Sequence, residues 1–148
     1  ALEIMKDSRL GTMGLIAILF GLALKWGGIA NLDAHRSIIL IIIPTYARTA
    51  ILFGMRYLPY GRPDGTGKPF FSEKLSLMHF WGIILPVGLS LILGLKAIWL
   101  NLAFGMIIAM ILLFYKKRMG CITGDMLGAM VEITEAGLFL MISLGGAL

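Results

Sequence analysis

Long apolar runs, broken by short polar stretches, set the pattern of this chain. They predict five spans: Leu10 to Ala30, Ser37 to Leu58, Leu75 to Leu95, Ala97 to Tyr115, and Met126 to the C-terminus. Each is near the roughly 20 residues that carry a helix across a bilayer. The third and fourth spans form a tight helical hairpin, since only Gly94-Leu95-Lys96 separates them. Gly21, Pro44, Gly82, Pro86, Gly88 and Gly105 lie inside spans, where neighbouring helices can satisfy freed backbone groups. The fold class is therefore all-α, a polytopic membrane bundle of about five helices.

Composition agrees: 59% of residues are hydrophobic, 14% are charged, and the mean hydropathy is +0.92. The lone Cys121 excludes an internal disulfide and a paired-thiol metal site. Lys and Arg set the orientation. With five spans, one side carries Lys6, Arg9, Arg56, Arg62, Lys68, Lys74, Lys116, Lys117 and Arg118, and the other carries Lys25, Arg36 and Lys96. Nine against three places the first side in the cytoplasm. Trp26 and Trp99 then sit at the outer boundary and Trp81 near the inner one. The net charge of +5 reflects this topology and contact with anionic lipid, and nothing points to nucleic acid.

The fifth span carries Asp125, Glu132 and Glu135, which share one helical stripe with Gly128. An ionised carboxylate in hydrocarbon is costly unless it meets a cation, a metal or water. Arg48 sits about ten residues deep in the second span, and its expected partner is Glu132 or Glu135. Asp125 has a plainer reading as a helix N-cap. Phosphate chemistry asks for carboxylates that hold a divalent ion, cations that neutralise oxygens, and glycines that admit the backbone. Asp125, the Lys116-Lys117-Arg118 run, Gly120 and Gly124 supply all three.

The motifs resemble those of the cobalamin synthase family, the membrane-bound adenosylcobinamide-GDP ribazoletransferases. The likeness rests on Glu3-Ile4-Met5-Lys6-Asp7-Ser8-Arg9-Leu10-Gly11, on Tyr46-Ala47-Arg48 with Leu58-Pro59-Tyr60-Gly61-Arg62-Pro63-Asp64-Gly65, and on Gly120 with Thr123-Gly124-Asp125-Met126-Leu127-Gly128-Ala129 and Glu132. It implies transfer of cobinamide phosphate from adenosylcobinamide-GDP to α-ribazole or its 5′-phosphate, with release of GMP and a need for Mg²⁺. Under it Asp125 and Asp7 bind metal, and Asp125, Asp7 and Glu132 form the catalytic set. Arg9, Arg48, Arg62, Lys116, Lys117 and Arg118 contact substrate.

The resemblance also implies a bacterial or archaeal cytoplasmic membrane and an active face toward the cytoplasm. The family's upstream Asp-Gly-x-x-Asp-x-x-Asp-Gly motif does not occur here. Residues 1–148 therefore read as the C-terminal part of one membrane-embedded transferase domain. That part is inactive alone, partnered by the N-terminal portion and by lipid, and open to homo-oligomer formation. The alternatives are a small transporter or transporter subunit and a CDP-alcohol phosphotransferase. A transporter places its ionisable groups near the midplane, whereas the motifs here gather at one interface. The Asp-Gly-x-x-Ala-Arg signature of the CDP-alcohol class is missing.

Overall fold

The computed structural model describes residues 11–32, 35–62, 67–71 and 77–144, without the side chains of residues 77 and 78. The elements are helices α1 (Thr12–Ala30), α2 (Arg36–Tyr57), α3 (Ile84–Ser90), α4 (Leu95–Arg118) and α5 (Gly124–Leu144). All but α3 are long and apolar enough to cross a membrane. A short 3₁₀ turn, Lys68–Phe71, follows the loop after α2.

The third predicted span is irregular. Two 3₁₀ segments, Leu77–Ile83 and Leu91–Leu93, flank α3. Gly82, Pro86 and Gly88 weaken regular α-helix there. The tighter winding also lengthens it. At about 2.0 Å per 3₁₀ residue and 1.5 Å per α residue, the element reaches roughly 30 Å, a bilayer core's thickness.

Gly94 makes the hairpin turn into α4 with φ 61° and ψ −129°, a region that L side chains rarely enter. Across that turn, Asn101 Nδ2 donates to Ser90 Oγ at 3.1 Å. The Tyr46 hydroxyl of α2 donates to Asn101 Oδ1 at 2.6 Å. These bonds tie α2, α3 and α4 together at a depth where water cannot serve polar groups.

Helix α5 is the centre of the bundle, packed on α1, α2 and α4. Small residues make each approach close. A Cβ on Gly28 of α1 would lie 2.8 Å from Phe139 Cβ. One on Gly54 of α2 would lie 2.8 Å from both Ile122 and Leu127, and one on Gly137 of α5 would lie 2.9 Å from Ile107 of α4. Small residues let membrane helices gain dispersion energy at short range, where hydrophobic force between them is lacking.

Along α5, Met126, Met130, Thr134 and Leu138 recur every fourth residue and are buried. Most of α1 is exposed, with Gly28 as its buried residue. Met13, Phe20 and Trp26 show the apolar surface expected of a lipid-facing helix.

Candidate functional site

The site begins where α4 ends. Basic residues Lys116, Lys117 and Arg118 occupy its last turn, where the helix dipole favours cations. The N–H groups of Met119 and Gly120 both donate to the Tyr115 carbonyl, at 2.9 and 3.0 Å. Gly120 adopts φ 67°, the left-handed geometry that ends many helices.

The loop then runs beside the segment following α2. Gly61 N–H donates to the Ile122 carbonyl and Ile122 N–H to the Pro59 carbonyl, both at 2.8 Å, a one-residue parallel bridge between Tyr60 and Ile122. Gly61 is needed for this approach, since a Cβ there would lie 2.6 Å from Cys121 Sγ. Ile122 is fully buried beneath the bridge.

The bridge delivers Arg62 to the start of α5. Its Nη2 donates to Asp125 Oδ2 at 2.8 Å. Thr123, not Asp125, caps the helix: its Oγ1 accepts from Met126 N–H at 3.4 Å. The N-cap expectation for Asp125 is corrected, because the hydroxyl one residue before the helix takes that bond. Asp125 is left in the first turn, 62% exposed, with the helix dipole favouring its charge. Two motifs far apart in sequence thus meet at one end of the bundle, beside three exposed cations.

The acidic stripe of α5 exists as predicted, but it faces α1. Lys25 Nζ donates to Glu132 Oε2 at 2.6 Å and lies 3.6 Å from Glu135 Oε1. The expected pairing of Arg48 with Glu132 or Glu135 is overturned. Helix α2 meets α5 through Gly54, against Leu127 and Met130, a side of α5 well away from the acids. Arg48 projects from the exposed side of α2, opposite the buried Tyr46 and Ala50. Its Nη1 donates to the Pro44 carbonyl at 3.0 Å.

Lys25 lies inside α1, five residues before its end at Ala30. The sequence held a signal for it: Gly28, three residues beyond Lys25, marks the face that packs on α5.

Asp7 and Arg9 lie outside the described residues. Among the described residues, no three His, Cys, Asp or Glu side chains converge as a metal cage. Mg²⁺ is normally bound by one or two carboxylates plus substrate phosphates and water. Asp125, exposed at the start of α5 beside Arg62, has the chemistry of one such ligand.

Comparison with known proteins places these motifs. The protein-family model described as cobalamin-5-phosphate synthase matches residues 1–143. The chain is 33% identical over 144 residues to an adenosylcobinamide-GDP ribazoletransferase of Pseudomonas paraeruginosa, covering 97% of this chain and 59% of the relative. It is 37% identical over 162 residues to one from Alkaliphilus metalliredigens, covering 97% and 57%. To one from Desulfitobacterium hafniense it is 36% identical over 151 residues, covering 95% and 58%. The chain thus spans less than two thirds of the length of the relatives it matches. No solved structure matches it significantly.

Proposed function

This chain belongs to the cobalamin-5-phosphate synthase family, and from that premise we propose its part in one transfer reaction. It supplies part of the catalytic face of a membrane enzyme that moves the cobinamide-phosphate group of adenosylcobinamide-GDP onto α-ribazole or α-ribazole 5′-phosphate. The relatives' name indicates the donor substrate. In the reaction, an oxygen of the ribazole bonds to the cobinamide phosphorus, the bond from that phosphorus to GMP breaks, and GMP leaves. This is one of the last steps of cobalamin assembly.

The observation that carries this reading is the Arg62–Asp125 pair, held by the backbone bridge between Tyr60 and Ile122. It brings a cation and a carboxylate to one helix N-terminus, next to Lys116, Lys117 and Arg118. Phosphoryl transfer relies on positioning and on neutralising charge at the phosphate oxygens. Arg62, the three cations and Arg9 do this for the diphosphate. Mg²⁺, when bound by Asp125 and Asp7, adds neutralisation at the same oxygens. Glu132 lines the deeper part of the face. Arg48, kept in the substrate-binding set, meets the corrinoid from the outer side of α2.

The face lies toward the cytoplasm of a bacterial or archaeal membrane, following the distribution of Lys and Arg. Residues 1–148 carry no Asp-Gly-x-x-Asp-x-x-Asp-Gly motif, and assayed alone they are expected to be inactive. Lipid surrounds the bundle, and its exposed apolar faces leave room for a second copy.

Turnover of adenosylcobinamide-GDP by the native enzyme in membranes tests the site. Asp125→Ala and Arg62→Ala should each lower kcat/KM by on the order of 10²–10³, typical for removing one electrostatic contact. Near-normal turnover by Asp125→Ala removes that residue from the site.

A further inference from the structure

The Lys25 cluster holds one ammonium and two carboxylates inside the bilayer-spanning part of α1 and α5. Its members are not equivalent. The side chains of Lys25 and Glu135 are 17% exposed, whereas Glu132 is 67% exposed. Glu132 stands above Gly128, where an added Cβ would meet no described atom within 4 Å.

It also lies seven residues beyond Asp125, two turns higher on the same stripe, a rise of roughly 10 Å. Side chains on one helix lean alike toward its N-terminus, so the helical rise sets the gap between the two carboxylates. That gap accommodates three contacts end to end. A cation–oxygen contact takes about 2 Å, an attacking hydroxyl on phosphorus about 3 Å, and a hydroxyl–carboxylate hydrogen bond about 3 Å.

We propose that Lys25 is a positioning residue for Glu132, and that Glu132 takes the proton of the attacking hydroxyl. The inference rests on the function proposed above. As the ribazole oxygen bonds to phosphorus and the electron pair of the breaking bond leaves with GMP, the hydroxyl proton passes to Glu132. It returns to water when product departs.

The Lys25 ammonium, 2.6 Å from Glu132 Oε2, fixes where that carboxylate points. Glu135 lies 3.6 Å from the same ammonium. The other charged groups around α5 are engaged elsewhere. Asp125 lies two turns below and is held by Arg62. From α2, Arg48 bonds to Pro44, and from α4, the Tyr115 hydroxyl donates to the Met126 carbonyl at 3.1 Å.

The test is kcat and KM per folded molecule for the native enzyme in its membranes, with Lys25→Met, Lys25→Arg, Glu135→Gln and Glu132→Gln. Glu132→Gln should lose on the order of 10²–10⁴ in rate, the usual share of a general base. Lys25→Met should lower kcat and leave KM near its starting value, and Lys25→Arg should restore most of the kcat. Glu135→Gln, which leaves the Lys25–Glu132 contact in place, should change neither.

A cluster that only holds the helices together would lower the amount of folded enzyme and leave kcat per folded molecule unchanged in every variant. That result overturns the inference, as does near-normal turnover by Glu132→Gln. Should Lys25→Met fail to insert, Lys25→Gln takes its place with the same expected loss of kcat. If the wild type itself does not turn over adenosylcobinamide-GDP, the function reading fails and the base role falls with it. A change in the infrared carboxylate band of Glu132 between the wild type and Lys25→Met then decides whether Lys25 holds that carboxylate.

Discussion

Replacing Gly28 with alanine tests the packing that places the Lys25 cluster. The new Cβ would lie 2.8 Å from Phe139 Cβ, 2.9 Å from its carbonyl carbon and 3.0 Å from its carbonyl oxygen. Two of the three are backbone atoms of α5, so no flexible side chain can swing aside. Ordinary contact begins near 3.4 Å, which means α1 must withdraw by about 0.6 Å or tilt. Overpacking of this kind costs about 1–3 kcal/mol.

Gly27→Ala is the matched control. It makes the same change of residue one position earlier, where no described atom lies within 4 Å of the new Cβ. Both variants gain up to about 1 kcal/mol in helix propensity. The difference between them therefore isolates the clash. Equilibrium unfolding in mixed detergent micelles should place Gly28→Ala below Gly27→Ala by about 1–3 kcal/mol. Lys25 is one turn before Gly28, so its 3.6 Å contact with Glu135 should lengthen as well. Equal stability of the two variants would refute the close α1–α5 crossing and the position it gives Lys25.

Two further outcomes follow from the same packing. Gly61→Ala sets a Cβ 2.6 Å from Cys121 Sγ and should push apart the loops that join Arg62 to Asp125. Turnover should fall, and adding Cys121→Ala should restore part of it, because it removes the Sγ at 2.6 Å and leaves the Cβ at 3.1 Å. Tyr46→Phe removes the hydroxyl that donates to Asn101 at 2.6 Å. Thermal unfolding should report a loss of about 1–2 kcal/mol, typical of hydrogen bonds between membrane helices. Turnover per folded molecule should be unchanged, because the Tyr46 bond ties together α2, α3 and α4 and belongs to neither the Arg62–Asp125 pair nor the Lys25 cluster.

Much of the architecture was legible in the sequence because a bilayer leaves few options. Apolar runs of about 20 residues must become helices, which is why the predicted Ser37–Leu58 and Ala97–Tyr115 lie within a few residues of α2 and α4. The helical period alone placed Asp125, Gly128, Glu132 and Glu135 on one stripe. Gly94 was readable as a break because no other residue suits its backbone. The third span's 3₁₀ winding was hinted at by Gly82, Pro86 and Gly88, although composition does not say how far the winding extends.

What the period could not decide is which neighbour the acidic stripe faces. That depends on helix order around α5, set by where Gly28, Gly54 and Gly137 allow close approach. The packing chose Lys25 over Arg48 as the partner of Glu132, although both are cations deep in spans. It also freed Asp125 from capping, through Thr123, and brought Arg62 to it across a one-residue bridge. Hydropathy is a property of single segments and so can be read along the chain. Charge pairing is a property of two surfaces in contact, and only the assembled bundle determines which surfaces those are.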